Sequence, residues 1–436
     1  MSAKTDKWID EHFEELVKHT REIVMIPSVE GKAIDGSMPF GKDVRDAEDY
    51  MLKVAGKEYG LETHDHDGYY AYVDAGKEAG KEKEMLGIVC HLDVVPEGSG
   101  WDHPAFGAEV ADDTIYGRGT VDDKGPAMCA LHALKAVIDS GYTFKRQVRL
   151  IYGLNEETGM KCIDEYCKNE RIPDISFTPD GSYPLCNSEF GICHAAFKKE
   201  YKSDICFESG VAANVVPPEA KAVVGGKEYT TKGVQAHASM PWEGENAAQK
   251  MIKLLAGLEL SNEEDRKVVE VLDKHLGEGY SGEGFGLYYK DETGTQTLNL
   301  GLVKWDEKGF EITLDLRCPS AVKAENVKEK LCAAFTECGA ELEWFNFSEG
   351  FYLSEDTEIV GKLMKVYKDR TGDTESKPIV MGGGTYARHL PNAVSFGPEG
   401  YMDVCTCHIP NEHITFEQLK FNCKMLADAI IALACE

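Results

Sequence analysis

The stretch "MLGIVCHLDVVP", Met85–Pro96, opens as an unbroken apolar run and closes on a histidine and an aspartate two residues apart, His91 and Asp93. A short continuous apolar run of this kind fits a strand buried on both faces. Residues i and i+2 of a strand point to the same side, so this strand would carry an imidazole and a carboxylate together at its carboxyl end. A metal-bound imidazole needs its second ring nitrogen held, commonly by a carboxylate or a carbonyl, and Asp93 is placed to hold it. Alone, a His-x-Asp pair is more often a surface or packing feature, so its meaning depends on what else in the chain answers to it.

The neighbouring sequence repeats the pattern. "YYAYVDAG", "QVRLIYGLNEE" and "DISFTPD" read as further strands, separated by the helical stretches "GPAMCALHALKAVIDSG" and "MKCIDEYCKNE". Alternation of this sort predicts an α/β domain whose sheet is covered on both faces, and ligands of such sheets gather at the carboxyl ends of the strands. The apolar strands here end in His91 and Asp93, in Glu156 and Glu157, and in Asp180.

After "NSEFG" the character changes. "GICHAAFKKEYKS", "KAVVGGKEYTTKGVQAH" and "TQTLNLGLVKWDEKGFEITLDLRCP" alternate apolar and polar residues, which predicts antiparallel strands with one wet face, and three helical stretches intervene. The expected organisation is a first domain formed by residues 1–189 with 353–436, and an inserted α+β domain at 190–352. The fold class is α/β, a mixed sheet flanked by helices. At 436 residues the chain exceeds what one hydrophobic core usually organises, in keeping with two domains.

Charge and composition exclude several partners. The formal net charge of −29 repels phosphate backbones and anionic lipid, so neither nucleic acid nor a membrane surface is expected. The N-terminal segment lacks a signal-peptide core and reads as one amphipathic helix with Trp8, Phe13, Leu16 and Ile23 on one side. A cytoplasmic chain is expected. Its 14 cysteines, scattered without CxxC pairs, read as reduced, mostly buried thiols.

Partners for His91 exist. "YGRGTVDDKGP" places Asp122 and Asp123 in a glycine-bounded loop ahead of a helix with Pro126 in its first turn. In "NEETG", adjacent Glu156 and Glu157 at a strand end would face opposite ways, one free to ligate and the other to face a substrate. Asp180 in "FTPDGSYP" and His408 in "CTCHIPNEHI" complete an oxygen-rich set with two histidines. Five protein ligands exceed the three typical of one catalytic zinc. If Asp122 bridges, two ions each receive three ligands, an arrangement used to hydrolyse amides. The cluster "THDHDG", His64 to Asp67, reads as solvated turn despite its metal-like composition.

In this order, "HLDVVP…GRGTVDDKGP", "NEETG", "TPDGSYP" and "HIPNEHI" resemble the cocatalytic metallopeptidase family of acetylornithine deacetylase, succinyl-diaminopimelate desuccinylase, carboxypeptidases and dipeptidases. "FTPDGSYPLCNSEFG", "GVAANVVP" and "GGGTYAR" are most similar to its peptidase V type dipeptidases. The resemblance implies that His91, Asp122 and Asp180 hold one metal and Asp122, Glu157 and His408 the other, with Asp93 orienting His91. Glu156 would be the general base acting on a bridging water, and a cis peptide would join Asp122 to Asp123. In "KGVQAHASMP", His237 would stabilise the oxyanion from a lid formed by the inserted domain. Arg317 in "FEITLDLRCP" is paired with Asp315 in one reading and is a fork for a peptide carboxylate in the other, which the resemblance favours. Asn214, Gly384 and Thr385 would add substrate contacts.

Two features depart from the family's pattern. An aspartate at 180, where desuccinylase and carboxypeptidase relatives often carry glutamate, favours the dipeptidase and aminoacylase side. Cys405 and Cys407 beside His408 could offer a thiolate, although alternation directs Cys407 away from the face of His408. The expected activity is hydrolysis of short peptides with a free C-terminal carboxylate, with an N-acyl amino acid deacylase or desuccinylase as the alternative. Two divalent ions are expected, Zn2+ first, and the Asp/Glu/His set also accepts Mn2+ or Co2+. A monomer is expected, with a homodimer as the alternative.

Overall fold

The computed structural model describes residues 2–79, 84–277 and 279–435. The chain forms two compact units, one of Met1–Asn187, Leu353–Ile379 and Thr385–Glu436, the other of Ser188–Tyr352 and Val380–Gly384.

The first unit is organised by Met85–His91, a strand whose seven residues are all buried. Each large apolar side chain hidden there contributes about 1.5–3 kcal/mol. The strand runs parallel to Gln147–Gly153 on one side and to Ile175–Thr178 on the other, and Ala393–Ser395 extends the parallel set. Antiparallel Tyr70–Ala75 and Glu62–His66 continue the sheet beyond Gln147–Gly153, so the sheet is mixed. The four parallel strands finish at the same edge. His91 ends its own strand, Glu156 and Glu157 follow Gly153, Asp180 follows Thr178, and the segment bearing His408 follows Ser395.

Helix Lys124–Asp139 packs against Phe416–Ile430 and Phe13–Val24. The C-terminal helix starts with a capping box in which Thr415 and Gln418 satisfy each other's backbone N–H groups. Just before it, His413–Thr415 pairs with Thr114–Tyr116, which ties the segment after His408 to the one leading to Asp122.

Two expectations for this unit are corrected. The N-terminal segment is two helices, Ala3–Glu11 and Phe13–Val24, interrupted at His12, whose φ of −110° and ψ of 15° leave the helical region. The His12 ring lies 2.8 Å from the Trp8 carbonyl and stacks on the Trp8 ring, and Ile9 rather than Trp8 joins Phe13, Leu16 and Ile23 in the core. "THDHDG" is likewise mostly strand, since His64, Asp65 and His66 lie in the edge strand Glu62–His66 and only Asp67 turns, at φ 50°. His64 and His66 stack on Tyr72 and Tyr70 of the adjoining strand, which explains aromatic side chains on an otherwise wet edge.

The second unit is a seven-stranded antiparallel sheet in the order Lys227–Lys232, Glu219–Val224, Ile205–Ser209, Thr297–Asp306, Gly309–Cys318, Gly191–Glu200, Glu341–Ser348. Helices Ala247–Ala256, Glu263–Leu276 and Ala324–Thr336 contribute to its core with Phe310, Ile312, Leu314 and Leu316. The opposite face of that last strand is not wet where it matters, because Asp315 is fully buried and Arg317 nearly so.

Candidate active site

His91 is fixed from three directions. Its backbone N–H donates to Asp123 Oδ2 at 3.1 Å, its Nε2 lies 2.9 Å from Asp122 Oδ1, and its Nδ1 lies 3.0 Å from the backbone carbonyl of Asp93. The Asp93 carboxylate is farther from that ring nitrogen, at 3.6 Å. It accepts instead from the backbone N–H groups of Glu156 and Glu157, at 3.0 and 3.1 Å. The strand ends at His91, so the i, i+2 alternation expected of Asp93 no longer applies. Its carbonyl holds the ring and its carboxylate holds the glutamate turn.

That turn separates the two glutamates. Glu157 lies 3.2 Å from His408 Nε2, whereas Glu156 Oε1 is buried without a hydrogen-bond partner. The peptide between Asp122 and Asp123 is cis. Asp123 occupies the N-cap position of helix Lys124–Asp139, yet its side chain serves His91 rather than the helix.

Two triads result, His91, Asp122 and Asp180, and Asp122, Glu157 and His408, each with its ligand atoms within 4.8 Å of one another. Asp122 belongs to both. Its Oδ1 faces His91 at 2.9 Å and its Oδ2 faces His408 at 2.8 Å, so one carboxylate offers an oxygen to each side.

The electrostatics of the cluster call for added positive charge. Burial opposes ionisation of Asp122, but hydrogen bonds from His408 and His91 outweigh it and hold the carboxyl below its usual range. Burial and then the Asp122 charge push Asp180 and Glu157 up. Burial also pushes Glu156 well up, against the influence of His91. Hydrogen bonds donated to the Asp122 and Glu157 carboxylates raise His408 to about 11. The ion-pair partners of Asp122, Asp180 and Glu157 among the described residues are the two histidines. A carboxylate shared by two triads, an unpartnered buried glutamate oxygen and a donor set of imidazoles and carboxylates fit two divalent cations.

The second unit holds its own group of polar residues. Asn299 donates to the carbonyls of Ala213 and Val215 at 2.9 and 3.0 Å, which fixes the segment bearing Asn214. That segment passes so close to Gly301 that a Cβ there would stand 2.2 Å from the Ala213 carbonyl oxygen. An antiparallel bridge between Val215 and His237, and an Ala238 N–H donating to the Asn214 carbonyl at 2.9 Å, bring His237 alongside. The Ser239 backbone N–H donates to His237 Nδ1 at 3.2 Å, which leaves the proton of the neutral ring on Nε2. Burial and then the Arg317 charge hold the His237 pKa down. Arg317 grips Asp315 with Nε and Nη2 at 2.9 and 2.8 Å and donates from Nη1 to the Gly382 carbonyl at 3.0 Å.

The profile described as "Peptidase family M20/M25/M40" matches residues 87–432. The chain belongs to that family. A putative dipeptidase of Staphylococcus epidermidis is 32% identical over 468 residues, covering 98% of both chains. Among solved structures, the yeast di-peptidase Dug1p superposes with a TM-score of 0.60 at 14% identity, covering 98% of each chain. A Bacillus subtilis protein described as a dinuclear metal-binding peptidase of the M20 family superposes with a TM-score of 0.55 at 12% identity, covering 97% of this chain and 99% of that one.

One feature of this M20 chain lies outside the residues singled out in its sequence. Glu412, fully buried, accepts from the backbone N–H groups of Gly119, Val121 and Asp122 at 3.0, 3.0 and 3.3 Å and pairs with buried Arg118 at 2.6 Å. It thereby holds the loop that presents Asp122. The only sequence cue is an acid four residues beyond His408, and its meaning lies in a contact across some 290 residues. Thr385 caps the turn Tyr386–His389 through Ala387 N–H and lies 3.1 Å from the Ser395 hydroxyl. Cys405 and Cys407 group with Glu399 rather than with either triad.

Proposed function

We propose that this M20 chain is a metal-dependent dipeptidase that cleaves the amide bond of short peptides bearing a free C-terminal carboxylate. The observation that carries the reading is the meeting of two triads through Asp122 at the strand ends, with the unpartnered Glu156 Oε1 beside them. The family and the dipeptidase named among its relatives point the same way. The reading takes Zn2+ as the ion, the cytoplasm as the compartment and one chain as the working unit.

Bound between His91, Asp122 and Asp180 and between Asp122, Glu157 and His408, two divalent ions would polarise the scissile carbonyl and acidify a water. The chain's own groups do the rest. Glu156 takes a proton from the attacking water and delivers it to the leaving amine, a task suited to a carboxyl whose proton affinity burial has raised. Asp93 keeps that carboxylate in place by gripping its backbone. In the second unit, the Nε2–H of His237 is the donor for the developing oxyanion. With three of five guanidinium N–H groups engaged, Arg317 keeps two for the substrate carboxylate. Asn214, Gly384 and Thr385 complete the proposed substrate contacts. The residues 190–352 form the substrate-recognition domain in this reading.

The test is a panel of dipeptides, tripeptides and N-acyl amino acids, assayed after chelation and reloading with Zn2+ or Mn2+. Cleavage of dipeptides, restored by metal, is expected. Hydrolysis of acyl amino acids with no cleavage of dipeptides would replace the reading with a deacylase.

A further inference from the structure

Between Tyr401 and His408 the segment that delivers His408 carries little apolar packing. Met402, Val404 and Ile409 are exposed by 53, 72 and 49%, so its apolar side chains face water instead of a core. Gly400 at φ 64° and Met402 at φ 66° turn the chain back on itself, and His408 follows at φ 64°. Tyr401 is held, since its carbonyl accepts from Gln418 at 2.7 Å and its ring stacks on Phe421; the remaining anchors are polar. Glu399 N–H donates to the Gly181 carbonyl at 3.1 Å, Asp403 lies 3.2 Å from His413, and the Thr406 hydroxyl accepts from His413 N–H at 3.3 Å.

The same fold-back brings three metal-ligating side chains together. Glu399, Cys405 and Cys407 place a carboxylate oxygen and two sulfurs within 4.8 Å of one another. The dinuclear centre uses none of them as ligands. Among the described residues no lysine or arginine pairs with Glu399, whose carboxyl is hydrogen-bonded to Asp180. Two sulfurs and one carboxylate are the donors a thiophilic cation selects, and with a water as fourth ligand they would complete a tetrahedral shell.

We propose that Glu399, Cys405 and Cys407 form a third cation site, for a single Zn2+-class ion, which staples the segment bearing His408. Two thiolates and a carboxylate carry three negative charges against the ion's two positive ones, leaving a net charge of −1. The ion takes the structural place of the missing apolar anchors. Through Cys407 it fixes the residue before His408, and so braces a ligand of the second triad. Partners of this kind typically change metal affinity about 10–100-fold when removed.

The probe is Cd2+, titrated into the reduced full-length chain while thiolate-to-metal charge-transfer absorption is followed. The triads contain no sulfur, the double cysteine variant separates this site from other thiols such as exposed Cys206, and the readout does not depend on peptidase activity. With the triads first filled by two equivalents of Zn2+, one further equivalent of Cd2+ is expected to develop the band in the unsubstituted protein, and Cys405→Ser with Cys407→Ser to abolish it. Glu399→Gln should keep the band with affinity about tenfold weaker. Absence of the band in the unsubstituted protein, or its survival in the double variant, overturns the proposal. A readout that needs no variant is alkylation mapped by mass spectrometry. One equivalent of Zn2+ beyond the two that fill the triads should protect Cys405 and Cys407 from modification, and equal labelling with and without it overturns the site.

Discussion

Replacing Asp93 by asparagine separates two roles that the sequence motif had merged. In the structure the His91 ring faces the backbone carbonyl of residue 93 at 3.0 Å, a contact that Asp93→Asn preserves. The carboxylate oxygens accept from Glu156 and Glu157 N–H at 3.0 and 3.1 Å at a position only 1% exposed. Asparagine turns one acceptor into a donor, which then opposes one of those N–H groups. A buried hydrogen bond to a charged group contributes about 1.5–3 kcal/mol, and an orphaned buried donor costs about 1–3 kcal/mol. If about 3 kcal/mol of that loss falls on the placement of Glu156, kcat should drop by roughly 10^2-fold, at ~1.4 kcal/mol per decade. Metal affinity should change by less than about tenfold, below the usual range for losing a ligand's support. The assay is kcat at saturating Zn2+ together with metal affinity by competition with a chelator. Metal affinity falling 100-fold while the saturated enzyme keeps its kcat would refute the reasoning and return the carboxylate to the ring.

Other consequences are as direct. Glu412→Gln weakens the acceptor for three N–H groups and the partner of Arg118, so it should lower the melting temperature and weaken ion binding about 10–100-fold, measured by calorimetry and metal competition. His237→Ala removes the proposed oxyanion donor, so kcat should fall about 10^2–10^3-fold with dipeptide KM nearly unchanged. The ion-free His408 is raised to about 11 by Asp122 and Glu157 and is protonated at neutral pH. Ion binding must displace that proton, so titrations in buffers of different ionisation enthalpy should show proton release near pH 7, and affinity should rise with pH. No proton release would contradict the pairing.

The site's residues were legible because chemistry collects where parallel strands end, and His91, Glu157 and Asp180 follow apolar runs that can be read directly. Their supports were not. Alternation assumed that the strand continued through Asp93, whereas it stops at His91 and the backbone turns the carboxylate toward the glutamates. The separation of Glu156 from Glu157 was foreseen for the wrong reason, since a hydrogen-bonded turn and not strand pleating divides them. Glu412 gains its meaning only from distant backbone groups, and periodicity carries no information about such contacts. The break at His12 is a local contest, in which an imidazole lies against a helical carbonyl inside an otherwise continuous amphipathic pattern.

The central claim is that one carboxylate, Asp122, is shared by two ions that peptide hydrolysis requires. Counting bound Zn2+ per chain in Asp122→Ala, Asp180→Ala and Glu157→Ala, each relative to the unsubstituted protein, tests it most directly. The account predicts that the Asp122 variant loses two ions and all dipeptide turnover, while each of the others loses one ion. An Asp122 variant that loses one ion or none would contradict it.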